Sequence, residues 1–365
     1  MSKYLITLQP LGKYFFGGDM TFQVGTNEKS PFNEAFASYI IASNKFPQQT
    51  SLLGMMRYLL LTKSPKAFSQ AHNRIINQKE ATALIGETSF QVKKEHKELN
   101  QFGQIKSLGP CFLRKGEENL LPVPKDFYFK VSFATDKVEA FSNAHSLHIP
   151  NVEGYSPKEQ YAPLYIDLKS GNTYKEDTIF QQDTRIGINK NYKGRSDEKG
   201  FYKQISYRLK DGFGFAFTIE TDFDLTNCRH EIVSLGGDGS RFALSACELT
   251  DSNMPILAYP KEALKKVEDG YRVVLLSDSL LEDKELANAD FNISDTKPFR
   301  FLSTHTSMTN YNMLGEAKRV EEKYYLYEKG STFYFTDQTA AEKFIMQVKE
   351  KMEFHQIGYN HCILS

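Results

Sequence analysis

The segment Phe46-Pro47-Gln48-Gln49-Thr50-Ser51-Leu52-Leu53-Gly54-Met55-Met56-Arg57 opens a helix with polar side chains and carries an arginine a little further along. Thr50 or Ser51 can cap such a helix, the first amides and the dipole favour an anion, and Gly54 admits a second backbone. Arg57 offers a planar fork of donors, so the set suits a phosphate group. An amphipathic helix with a cap and no ligand has the same composition. A second segment, Leu235-Gly236-Gly237-Asp238-Gly239-Ser240-Arg241, adds small residues that let backbone amides approach a phosphate, with Ser240 and Arg241 at its end. It lacks the Lys-Ser/Thr end of a P-loop. It also lacks the several converging carboxylates of two-metal nucleotidyl transfer, since Asp238 has no adjacent acidic partner.

Histidine is the other residue type with chemistry to offer, because a near-neutral pKa suits metal-independent acid–base cleavage of RNA. His145 and His148 lie in Asn143-Ala144-His145-Ser146-Leu147-His148, and His305 lies between Thr304 and Thr306. No accompanying catalytic constellation is visible, and a hydrogen-bonded structural histidine accounts for each. His355 and His361 are spaced too widely for a one-turn metal pair and lack a third ligand, so no metal and no cofactor is expected. Cys111, Cys228, Cys247 and Cys362 are scattered, with neither zinc spacing nor a small disulfide framework, which fits a reducing compartment.

These candidates must be positioned by a chain of 365 residues, long enough for two domains or one large one. A hydrophobic fraction of 40% and a charged fraction of 25% are those of a globular protein. The 28 Phe and 20 Tyr, with no Trp, suit sheet cores first and base-stacking surfaces second. Forty-five basic and 45 acidic side chains cancel, so a nucleic-acid site must be local. The best local excess falls between Thr184 and Phe217, where Arg185, Lys190, Lys193, Arg195, Lys199, Lys203, Arg208 and Lys210 face Asp197, Glu198 and Asp211. A solvated loop reads the same way. The N-terminus lacks a secretory apolar run and no segment suits a membrane span, so a cytoplasmic protein without membrane contact is expected.

Alternation predicts strands over Lys3–Gln9, Ile105–Leu113, Phe213–Glu220, Phe242–Ala246, Tyr271–Leu276 and Thr332–Thr336. Lys115-Gly116 turns the chain toward Leu120 and the Pro122-Val123-Pro124 corner, giving one hairpin, and Arg185–Asn189 with Phe201–Leu209 gives another. Helices are predicted over Thr50–Thr62, Ala67–Leu84, Asp224–Leu235 and Ala340–Phe354, and Asn151–Asp183 reads as a long irregular excursion. The order of elements gives two related α+β units, residues 1–250 and 251–365, with a boundary near Thr250 to Pro255.

Taken in order, Phe15-Phe16-Gly17-Gly18, the Phe46–Arg57 segment, Leu108-Gly109-Pro110-Cys111-Phe112-Leu113 with Pro122-Val123-Pro124-Lys125-Asp126, Arg185-Ile186-Gly187-Ile188 and Leu235–Arg241 resemble the RAMP superfamily of CRISPR-associated RNA-binding proteins. Within it they are most similar to the third-subunit family of type III-B, or Cmr, effector complexes. The resemblance implies an α+β fold of two ferredoxin-like (RRM-like) domains with inserted hairpins and long loops, the first carrying a glycine-rich loop between its last helix and last strand. It implies a noncatalytic subunit in antiviral defence that binds the 5′ repeat-derived handle of the guide crRNA and bridges the large polymerase-like subunit to the backbone RAMP subunits. Carried over to matching positions, Thr50, Ser51 and Arg57 meet the handle from the first helix, Gly236, Gly237, Gly239, Ser240 and Arg241 from the glycine-rich loop, and Arg185 with Tyr202 opposite it from a hairpin over the RNA. The chain departs from the pattern at Gly18, where a basic residue is expected, and Gly358-Tyr359-Asn360 stands as a degraded glycine loop whose expected role is packing. Two other readings stay open: a RAMP endoribonuclease, and a protein-only scaffold with Tyr324-Tyr325-Leu326-Tyr327 as a contact surface.

Overall fold

Alternation along the first strand sets the architecture. In Ser2–Pro10, Tyr4, Ile6 and Leu8 are buried on one face while Leu5 is buried on the other. The strand therefore needs cover on both sides, and it lies centrally, antiparallel to Phe213–Thr221 and Arg241–Glu248, with Ile6 opposite Phe217 and Ala246. The computed structural model describes residues 1–26, 35–133, 138–139, 146–147, 150–156, 158, 161–190, 196–250, 254–255, 257–260, 270–306 and 318–365. His145, His148 and much of the expected boundary near Thr250 to Pro255 lie outside the described residues.

The main sheet has nine strands. In spatial order it runs Thr173–Lys175, Leu164–Asp167, Glu118–Pro122, Phe112–Lys115, Phe213–Thr221, Ser2–Pro10, Arg241–Glu248 and Glu231–Ser234, with Ile105–Leu108 also paired to Phe213–Thr221. The single strand expected over Ile105–Leu113 is thus two, because Pro110 cannot donate to a ladder and Gly109 turns its amide to Thr218 O at 2.8 Å. One face packs on the helix Gln49–Thr62, whose Leu52, Met56 and Leu60 share a core with Ile6, Leu8, Phe217 and Phe242. Each fully buried side chain of this kind stabilises the fold by about 2 kcal/mol. The other face shares a cluster of Leu5, Phe112, Ile166 and Ala216 with Val274 and Leu276.

A second sheet orders Phe180–Lys190, Ser196–Leu209, Ala35–Asn44 and Phe16–Thr26, so the predicted hairpin exists and Phe16 begins a strand. A third orders Phe291–Ile293, Thr332–Phe335, Tyr271–Leu275 and Cys362–Leu364, backed by the helix Gln338–Glu350 through Ala341, Phe344 and Val348. Arg272, fully buried, and Tyr334 both donate to Asp126 Oδ2, the tyrosine at 2.7 Å, which ties this sheet to the corner after Pro122.

Three helical expectations change. Residues 67–77 form a short hairpin, Phe68–Ser69 paired with Arg74–Ile75 across a turn at Asn73, whose φ is +46°, and the helix starts only at Gln78, where Asn77 accepts the Glu80 amide at 3.2 Å. Residues 224–235 form no helix: Asp224 Oδ1 takes the Thr226 amide at 2.9 Å, and Glu231–Ser234 pairs with Arg241–Glu248 instead. The last helix breaks at Lys351, whose ammonium is buried against Glu282 and Glu285 at 3.1 and 3.0 Å. The excursion over Asn151–Asp183 contains strands, two of which, Leu164–Asp167 and Thr173–Lys175, join the main sheet. In class the chain is a sheet-rich α+β protein with few helices.

Candidate functional site

The first helix begins at Gln49, and Gln48 holds the N-cap position with no side-chain cap. Gln48 O accepts from the amides of Ser51 and Leu52 at 2.9 and 3.1 Å, so neither Thr50 nor Ser51 caps the helix. The Tyr359 hydroxyl takes the free Gln49 amide at 3.2 Å, which gives the degraded Gly358-Tyr359-Asn360 loop a definite packing role. Thr50, half-buried, and Ser51, exposed, are left to face a cleft of about 530 Å³. Gly54 faces the same cleft with nothing within 4 Å of a built Cβ, so no second backbone approaches it.

Arg57 forms part of the floor of that cleft. It is only 7% exposed, and its guanidinium donates through Nε to Ile85 O at 3.0 Å and through Nη2 to Thr306 Oγ1 at 3.2 Å. Both acceptors are neutral, and no described carboxylate lies within ion-pair distance. Burial pushes its pKa down to about 10, which leaves it charged at neutral pH. A buried charge without a counterion is expensive, by several kcal/mol, unless an anion compensates it.

The glycine-rich segment closes the opposite wall. It is the turn between Glu231–Ser234 and Arg241–Glu248, not a helix-to-strand loop, because the preceding residues form a strand. Gly236 has φ +88°, and a Cβ there would meet Phe15 O at 2.4 Å, so only glycine fits. Gly237 donates its amide to Phe15 O at 2.8 Å, and Ser240, buried, accepts the Phe15 amide at 2.9 Å. Gly236 and Gly237 line the cleft; Gly239 and Ser240 do not, and Arg241 is exposed at the start of the strand beyond it.

The cleft also recruits residues that no local pattern marks. Ser89, Phe90 and Thr304 line it, as do Arg300, exposed and without a described carboxylate partner, and the adjacent Phe301. Arg300 follows the strand Thr296–Phe299, and the packing of Phe301 against Phe90, with centroids 5.0 Å apart, brings it beside the first helix. Two arginines, several hydroxyls and aromatic rings therefore surround a space with no Asp or Glu among the described residues of its lining.

A larger cleft, about 630 Å³, makes the contrast. Its Lys45 meets Glu176 at 2.6 Å, Lys297 meets Asp278 at 2.6 Å, and Lys125 pairs with Asp295 and Glu328. Lys329 Nζ donates to Cys111 O at 3.1 Å and sits over the Phe46 ring. Lys45, Lys125 and Lys297 are thus paired with carboxylates, and Asp278 acts on Lys329 as well, whereas Arg57 in the smaller cleft has no described ion-pair partner.

Arg185 and Tyr202 lie outside the cleft on the second sheet. Arg185 is opposite Gln204, and Tyr202 is opposite Gly187 with its ring where a Cβ on residue 187 would be, 2.2 Å from the built position. Gln204 contacts Asp238 through their side chains, which links this hairpin to the glycine-rich turn.

Among the histidines, His305 is exposed and its strand-like bridge is to Thr88. The rings of His355 and His361 stack with centroids 4.0 Å apart, a closeness their sequence spacing did not suggest. Burial, and then His355, pushes the His361 pKa down to about 3. No group of three or more His, Cys, Asp or Glu among the described residues is placed to hold a metal, and no helix among them is long and apolar enough to cross a membrane.

The chain matches the family described as CRISPR-associated protein (Cas_Cmr3) over residues 6–164 and 145–365. No curated protein matches it. Its fold is similar to that of a chain in the cryo-EM structure of the Type III-B Cmr-beta bound to cognate target RNA, at 14% identity and TM-score 0.50, covering 99% of this chain and 96% of that one. A chain in the structure of the same assembly bound to cognate target RNA and AMPPnP, state 1, aligns at 14% identity with TM-score 0.48 over 99% and 96% of the two chains.

Proposed function

The chain belongs to the Cas_Cmr3 family of CRISPR-associated proteins, and we propose that it is a noncatalytic subunit of a type III-B effector complex, holding the 5′ repeat-derived handle of the guide RNA in the cleft between the first helix and the glycine-rich turn. The observation that carries this reading is Arg57: a buried guanidinium with two neutral partners, beneath a cleft with no carboxylate among the described residues of its lining. A phosphate supplies the missing charge, and Thr50, Ser51 and Arg300 offer it further donors. Phe90 and Phe301, both buried, form the apolar floor, and half-buried Phe15 is the lining ring open enough to meet an unpaired base.

Arg185 and Tyr202 extend the contact along the hairpin, and Gly239, Ser240 and Arg241 belong to the same turn at its outer side. In this reading Ser240 holds the turn together, and Arg241 meets RNA beyond the cleft. The subunit is organised as two ferredoxin-like units, residues 1–250 and 251–365. It bridges the large polymerase-like subunit to the backbone RAMP subunits in the cytoplasm.

The test is to sequence RNA that copurifies with the chain expressed beside its genomic neighbours, comparing wild type with Arg57→Met and Arg300→Ala. Guide RNAs sharing a repeat-derived 5′ end, depleted in both variants while the complex still assembles, support handle capture. Unrelated or absent RNA in an assembled wild-type complex overturns it and favours a protein scaffold.

A further inference from the structure

The charges of the larger cleft are matched in number and uneven in place. At its inner end two ammonium groups share one carboxylate. Lys297 Nζ takes Asp278 Oδ2 at 2.6 Å, while Lys329 Nζ has no carboxylate within ion-pair distance among the described residues. Lys329 donates to Cys111 O at 3.1 Å and stands 3.5 Å from the centroid of the Phe46 ring. An ammonium carries three donors, so this one keeps donors for a ligand. Its backbone is pinned on both sides. The Lys329 amide donates to Asp278 Oδ1 at 3.1 Å, the Gly330 amide to Leu275 O at 2.7 Å, and Gly330 O accepts the Lys125 amide at 2.8 Å. Burial lowers the Lys329 pKa and Asp278 pulls against it, so a second anion beside Nζ offsets what desolvation costs.

The outer end reverses the imbalance. There one ammonium, Lys125, faces two carboxylates, Asp295 and, at 3.6 Å, Glu328, whose side chains are 70% and 38% exposed. The lining between the two ends is aromatic. It includes Phe46 with Tyr165, near-parallel with centroids 6.2 Å apart, and Tyr128 with Tyr161, stacked at 5.2 Å.

We propose that this cleft binds the carboxyl-terminal arginine of a partner polypeptide, its α-carboxylate accepting from Lys329 and its guanidinium donating to Asp295 and Glu328. One spare positive charge at the inner end matches a carboxylate, whereas a doubly charged phosphate would add repulsion from Asp278. A guanidinium lies flat on aromatic rings and pairs with carboxylates through a planar fork, which favours arginine over lysine. The cleft, about 630 Å³, has room for residues before the terminal one, which favours a polypeptide over free arginine. The inference is independent of the RNA reading, because no residue of the smaller cleft takes part in it.

The experiment titrates the full chain, without RNA, into a fluorescein-labelled octapeptide ending in arginine with a free carboxyl group. The same peptide as its carboxyl-terminal amide should bind at least about tenfold more weakly, the loss of one charge-assisted contact. Lys329→Met should weaken the free-carboxyl peptide by about the same factor, with a thermal melt to check that the variant is folded. Asp295→Lys changes an exposed side chain, so it tests the site even where Lys329→Met does not fold. It should weaken the arginine peptide about fivefold and leave a peptide ending in norleucine unaffected. Equal binding of acid and amide, or an arginine preference that survives Asp295→Lys, overturns the proposal. Free arginine that displaces the probe as well as the unlabelled peptide does overturns the polypeptide occupant in favour of the amino acid.

Discussion

Arg57 Nη2 donates to Thr306 Oγ1 at 3.2 Å across 249 positions of sequence, and the same hydroxyl donates onward to Gly86 O at 2.8 Å. Together with Ile85 O these acceptors hold the guanidinium in the floor of the cleft while leaving its charge unmatched. The arrangement orients a cation that has no described counterion, the feature on which the proposed anion site rests.

Arg300 and Arg241 separate the cleft from its surroundings. Both are exposed and neither has a described carboxylate partner, so replacing either by Ala should change stability by less than about 0.5 kcal/mol. Arg300→Ala should weaken RNA binding about tenfold, the loss of one charge-assisted contact, and Arg241→Ala should weaken it less. Equal losses in a fluorescence-anisotropy titration would show that the cleft is not where the RNA is held.

Gly54 gives a steric test of the same space. A Cβ at this position meets nothing within 4 Å, so Gly54→Ala should raise stability by about 1 kcal/mol through helix propensity. Gly54→Leu should fold as well as wild type yet project into the cleft and abolish handle binding. Thermal melts together with RNA titration check both halves, and retention of full affinity by Gly54→Leu would exclude the cleft.

Asp126 holds the third sheet to the corner after Pro122. Removing it leaves Arg272, fully buried, without its carboxylate and Tyr334 without its acceptor. Asp126→Ala should therefore destabilise the protein by about 3–5 kcal/mol, measured by urea denaturation. A loss below about 1 kcal/mol would mean that water reaches the site and that the pair is not structural.

Acid should weaken the fold through His361. Its folded pKa of about 3 lies below the usual histidine value because burial, and then His355, disfavours the imidazolium. The unfolded chain binds the extra proton, so the contribution is complete above about pH 6.5 and falls as pH drops toward 3. The slope reaches at most about 1.4 kcal/mol per pH unit for this one group. His361→Asn should flatten the stability profile over that window; an unchanged slope would assign acid sensitivity elsewhere.

Periodicity in the sequence was enough to determine the central strands, since the alternation of Tyr4, Ile6 and Leu8 and the apolar run of Phe213–Thr221 report burial directly, and a one-residue slip would expose them. It was also enough to draw Thr50, Ser51, Arg57, Gly236 and Gly237 to attention, because anion-binding backbone needs small and capping residues in local order, and these five do line one cleft. Where helix propensity competed with side-chain turns, as at Asp224 and Asn77, local hydrogen bonds prevailed and the expected helices shortened or vanished. Only tertiary packing decided that Arg57 is buried without a counterion among the described residues, that Tyr359 caps the first helix, and that Arg300 joins the cleft. Those relationships connect residues hundreds of positions apart, and the free energy of a charge or an amide depends on what the folded chain places beside it, which no local pattern encodes.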